Sequence, residues 1–205
     1  MKPNARRYES DQVDGLHGEQ EELFMQTINH LRHDWMNDIQ VLYGYLKLKK
    51  YDKMHDYMEI LKDKMFRESG ISKLGIPSLI VYLQSFRVRC RSIRLDVELD
   101  PELHLAALPV DAQTVTDTIT AVIEAIVSHA DMPADGEPGK LLLRLCVREQ
   151  VLAIGFEYNG SYDGSGLERE LGGLLSPSRE GQRFEGEATY DEDGAVIDIY
   201  MPLGG

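Results

Sequence analysis

The chain has 205 residues, 42% hydrophobic and 28% charged, the make-up of a soluble globular protein with room for one core or two small ones. Its 35 acids against 22 bases leave a net charge of −13. That charge argues against nucleic acid and anionic membrane as partners, since both call for positive surface.

In chain order, residues 1–17 are polar and aperiodic and read as a flexible tail without the apolar core of a signal peptide. Only Cys90 and Cys146 are present, so no disulfide framework or cysteine zinc site follows, and a cytoplasmic location is expected. From Gly18 the texture changes. Phe24, Ile28, Leu31, Trp35, Ile39, Leu42 and Leu46 recur at steps of 4, 3, 4, 4, 3 and 4, one helical stripe. The acidic run 19–22 and the basic run 47–50 suit the two ends of that helix. After a turn at 50–52, Met54, Tyr57, Leu61 and Met65 repeat the stripe, and Gly70 reads as its end. Residues 18–70 are thus predicted to form an antiparallel helical hairpin. Two helices cannot enclose a core, so dimerisation into a four-helix bundle is expected.

Beyond Gly70 the pattern mixes helix and strand. Helices are predicted over 77–89 and 111–130, and a strand over 92–99. Two strands joined at Glu149-Gln150 follow a breaker-rich loop at 130–139. The Gly-rich stretch 160–181 holds one short helix, and 183–202 reads as a hairpin turning at Asp193-Gly194. The fold class is α+β: a helical hairpin at 18–70, then an α/β sandwich over 71–205 with helices on one face of a sheet.

His33 sits about 160° round the helix from the centre of the apolar stripe, facing solvent in mid-helix. Asn37, Gln40 and Gly44 share its face, His30 lies one turn earlier, and Arg32 flanks the seam. On spacing alone His33 reads either as an ordinary surface histidine or as a nucleophile, because a neutral imidazole nitrogen attacks well near neutral pH. A metal site from His30, His33 and Asp34 lacks further ligands. In the functional reading Asp34 orients the ring or handles its proton, Trp35 anchors the helix, and Gly44 admits a partner's helix.

Arg32-His33-Asp34-Trp35-Met36-Asn37, followed by Gln40, Gly44, Leu46 and Tyr51-Asp52, resembles the hairpin of the sporulation initiation phosphotransferase B family, from phosphorelays of endospore-forming bacteria. The related R-H-E/D-x-x-N pattern also occurs in citrate- and malate-type sensor kinases. The resemblance implies a homodimer and a histidine-aspartate phosphotransferase without ATP hydrolysis. It makes His33 the phosphoacceptor, with Asp34 beside it and His30, Arg32, Asn37, Gln40 and Gly44 meeting partners. It also implies a single-domain response regulator as phosphate donor and a transcription-factor response regulator as acceptor. No cofactor is expected on this chain, and Mg²⁺ is expected in the regulator's active site.

The layout of 71–205 resembles a histidine-kinase ATP-binding domain that has degenerated. Ala125 stands where the resemblance would place the metal-binding asparagine, and Tyr158 where it would place the adenine-reading aspartate. A non-catalytic docking module for response regulators and a sensor histidine kinase core are the competing readings.

Overall fold

The computed structural model describes residues 5–132, 137–175 and 184–204, without side chains at 5–17, 19 and 20. Parts of the predicted tail, of the loop at 130–139 and of the Gly-rich stretch 160–181, with residue 183 of the hairpin, therefore lie outside the described residues. The chain divides into two compact units, residues 1–61 and 62–205.

The first unit holds helix α1 (Ala5–Lys47) and the start of helix α2 (Tyr51–Ser72). The periodicity placed the start of α1 at Gly18 and the end of α2 at Gly70. Both helices run past those glycines, because an isolated glycine weakens a helix by about 1 kcal/mol without breaking it. The turn between the helices has a specific chemistry. Lys50 N–H donates to the Tyr45 carbonyl at 2.9 Å and Lys49 N–H to the Leu46 carbonyl at 3.0 Å, the paired bonds of a Schellman motif. Lys49 takes the left-handed residue of that motif, with φ 55°. A side chain there is strained, so Lys49→Gly is expected to stabilise the chain by about 0.5–1 kcal/mol, read from denaturant midpoints.

Within this unit the two helices meet along a stripe shifted by one residue from the apolar one. Leu23, Thr27, His30, Asp34, Asp38, Leu42 and Tyr45 are half-buried on α1, against Met54, Tyr57 and Leu61 on α2. Tyr57 Oη donates to Asp38 Oδ1 at 2.8 Å, and the Tyr57 ring meets Tyr45 edge-on at 6.2 Å. That bond to a carboxylate, with burial and charge adding to it, raises the Tyr57 phenol above its ordinary range. Apart from Leu42, the predicted seam residues of α1 are left uncovered: Trp35 is 54% exposed and Ile39 56%. The reason is geometric. A single neighbouring helix covers one flank, and the polar Asp38–Tyr57 pair has taken it.

The second unit is a five-stranded mixed sheet with helices against one face. Helix α3 (Pro77–Arg89) starts with proline at its first turn, where no N–H is needed. Strand β1 (Ile93–Leu99) runs parallel to β2 (Gly139–Arg148), joined through a 3-10 turn at Leu105–Ala107 and helix α4 (Ala112–His129). Asp111 caps α4, accepting from Thr114 N–H at 2.7 Å and Thr114 Oγ1 at 2.6 Å, which lowers its carboxyl pKa. Strand β3 (Val151–Asn159) returns antiparallel to β2, helix α5 (Gly164–Leu175) follows, and β4 (Glu185–Asp191) and β5 (Gly194–Pro202) complete the sheet in the order β1-β2-β3-β5-β4.

Alternation decides which face is core. Leu141, Leu143 and Leu145 pair across to Tyr158, Phe156 and Ile154, and that row continues into Ala195, Ile197 and Ile199. All of these are buried together with Ile119, Ile123 and Ile126 of α4. The opposite face carries charge, with Arg144 held between Glu98 and Glu157, both at 3.0 Å.

One turn differs from the sequence expectation. Asp191 pairs with Gly194, so Glu192-Asp193 is the two-residue loop and Gly194 opens β5. Gly194 is needed for clearance, because a Cβ there would run into the Tyr158 carbonyl oxygen.

Candidate functional site

His33 is exposed in the middle of α1, away from the α2 contact, as the helical spacing required. Its ring has one partner that fixes its chemistry: Asn37, one turn on, places its amide nitrogen 3.1 Å from Nδ1. With that orientation Nδ1 accepts and Nε2 carries the proton. Turning the amide by 180° presents Oδ1 to an Nδ1–H and leaves the Nε2 lone pair free. Either way Asn37 occupies Nδ1, and Nε2 is the nitrogen left for a reaction with solvent-borne or partner-borne groups.

The other residues singled out in the sequence fall around this ring in two groups. Asp34 and His30 are half-buried on the flank turned toward α2, with His30 Nε2 3.9 Å from Asp34 Oδ2. Asp34 is thus seen with His30, while the hydrogen bond to the His33 ring comes from Asn37. Arg32 is exposed, its Nη2 donating to Asn29 Oδ1 at 3.0 Å. Gln40 and Gly44 extend the His33 face toward the turn, and a Cβ on Gly44 would meet nothing within 4 Å. Sequence reasoning passed over Met36 and Tyr43, which are 50% and 55% exposed. Met36, three residues on, neighbours the ring, a signal that helical periodicity could have yielded, while Tyr43 lies about 15 Å further along the helix toward the turn. Lys47 Nζ lies 4.7 Å over the Tyr43 ring.

In the second unit Ala125 and Tyr158 are buried in the hydrophobic core. The Tyr158 hydroxyl donates to the Ser161 carbonyl at 3.2 Å. Neither Gly139 nor Gly160 has room for a Cβ beside that ring. A methyl and a buried phenol offer no carboxylate or amide oxygen to a metal-bound nucleotide. Among the described residues no group of three or more His, Cys, Asp and Glu side chains is arranged to hold a metal ion.

Residues 18–74 match the family model for the SpoOB-type sensor-kinase α-helical domain. Over that segment the chain is similar to SpoOB-type hairpins. The matched segment carries His33, Asn37 and every other residue of the candidate site. The chain is 33% identical over 76 residues to sporulation initiation phosphotransferase B of Bacillus subtilis strain 168. That match spans 37% of this chain and 40% of the relative. Among solved structures, the Acinetobacter baumannii histidine kinase AdeS has a TM-score of 0.45 and 13% identity, over 84% of this chain and 98% of that one. The histidine kinase ThkA in complex with the response regulator TrrA has a TM-score of 0.43 and 14% identity, over 99% of this chain and 68% of that one. No helix among the described residues is long and apolar enough to cross a membrane.

Proposed function

We propose that this chain is a phosphorelay phosphotransferase that takes a phosphoryl group on His33 from one response regulator and hands it to another. The observation that carries the reading is an exposed histidine on a SpoOB-type hairpin with Nδ1 engaged by Asn37 and Nε2 open. The donor is an aspartyl phosphate on a single-domain regulator. As the Nε2–P bond forms, the bond between phosphorus and the aspartyl oxygen breaks, and the electron pair leaves on the regulator's carboxylate. The Nδ1 proton stays on the ring, held by Asn37 in its oxygen-inward orientation. The reverse step, on the aspartate of a transcription-factor regulator, returns the imidazole. By analogy with the Bacillus subtilis relative, the output is control of sporulation initiation.

Mg²⁺ belongs to the regulator's acidic pocket in this reading, and the present chain contributes position rather than charge. Asp34 sits where it can tune the flank between His33 and His30. Arg32 and the exposed Lys49 and Lys50 offer local positive charge on an otherwise acidic protein. We also propose that a second copy covers the uncovered apolar stripe of Trp35 and Ile39, forming a four-helix bundle.

The test mixes purified chain with a phosphorylated single-domain regulator, Mg²⁺ present and ATP absent. Acid-labile phosphate moving onto this chain is the expected result. Binding of the regulator without any transfer would make the chain a docking module instead.

A further inference from the structure

The geometry points to a binding site for a small carboxylate with an apolar tail, in a cleft of the second unit between the end of α2 and the end of β1. The cavity measures about 300 Å³, at the lower end for small-molecule sites. Its apolar wall is made by Phe66, Leu99 and Leu103. Its charged rim carries Arg67 and Lys73 with Glu98 and Asp100.

Of the acids on that rim Glu98 is in an ion pair, and neither base is. Glu98 is held by Arg144 at 3.0 Å, and Asp100 Oδ1 accepts the Glu102 N–H at 3.2 Å. Arg67 and Lys73 make no side-chain ion pair or hydrogen bond among the described residues. Two cations in no ion pair over an apolar wall favour a negative group over a positive one.

Two further observations point the same way. Phe66 is 66% exposed yet lies about 100° round α2 from Met65, so pairing along the Leu61–Met65 seam leaves it bare. Gly70 lies in the last turn of α2, one turn on from Phe66, where an added Cβ would lie 3.4 Å from Leu99 Cδ1. A side chain at that position would grow into the cleft. Complementing the negative C-terminal end of α2 would account for the cations alone. It does not account for the bare phenyl ring. Nothing in this assignment uses His33.

Octanoate, below its micellar concentration, is the probe. The full chain is followed by amide and methyl NMR, with octylamine as the same tail under the opposite charge. Saturable shifts at Gly70, Leu99 and Leu103 with octanoate, and none there with octylamine, are expected. Arg67→Ala with Lys73→Ala should weaken octanoate about tenfold, and Gly70→Leu should abolish it. If Gly70→Leu does not fold, the double alanine variant decides. An equal response to octylamine, shifts confined to Trp35 and Ile39, or no saturable shift would each overturn the assignment.

Discussion

His33→Ala takes up no acid-labile phosphate from a phosphorylated regulator, while its circular dichroism and melting temperature stay at the parent values. The side chain is exposed and its ring is hydrogen-bonded only within its own helix, so removing it leaves no buried hole. Alanine also raises intrinsic helix propensity at a mid-helix position. Loss of transfer without loss of fold therefore isolates the chemistry. His30 provides the internal comparison: it is half-buried toward α2, and His30→Gln should retain transfer. Asn37→Ala is the finer probe. It keeps the nucleophile but frees the ring to rotate and to protonate at either nitrogen. Transfer should slow by about ten- to a hundredfold, or about 1.4–2.8 kcal/mol of barrier, with regulator affinity little changed. Asn37→Asp restores an oxygen acceptor toward Nδ1 and should recover part of that loss. A His33→Ala protein that still acquires acid-labile phosphate would move the acceptor elsewhere, and an Asn37→Ala protein at full rate would remove Asn37 from the reaction.

Trp35→Glu should convert the protein to a single-chain species in sedimentation, with the dissociation constant rising at least about a thousandfold, some 4 kcal/mol. The expectation rests on where the apolar stripe went. Leu31, Trp35, Ile39 and Leu46 lie 41%, 54%, 56% and 48% exposed along one side of α1, a line broken only at half-buried Leu42. A glutamate in the middle of a paired seam would bury an uncompensated charge. Gln40→Glu adds the same charge on the His33 face and should leave association unchanged. A wild-type chain that sediments as a monomer at tens of micromolar would sink the bundle, whatever the variant does. Loss of association without loss of phosphate uptake would show that the acceptor works from one hairpin alone.

Much of the architecture was legible because periodicity reports burial directly. The alternation in Leu141, Leu143 and Leu145 and in Leu152, Ile154 and Phe156 declared two half-buried strands, and they pair in the sheet. The left-handed residues Glu149 and Gln150 lie at the joint predicted between them. The Asp-Gly pair at 193–194 misled by one residue, since the glycine answers a close approach of the Tyr158 carbonyl and not the demands of the turn.

For the candidate site, the sequence by itself determined that His33 faces away from the apolar stripe, because 100° per residue permits no other placement on a continuous helix. It also determined that Asn37 shares its face. Tertiary structure decided what neither spacing nor composition encodes. It turned a polar line, Asp34 and Asp38 among it, toward α2, with Tyr57 bonded to Asp38, and left the apolar line bare. Two adjacent stripes on one helix have nearly the same period, so periodicity cannot say which meets the neighbouring helix. That choice follows from which side chains the returning helix presents.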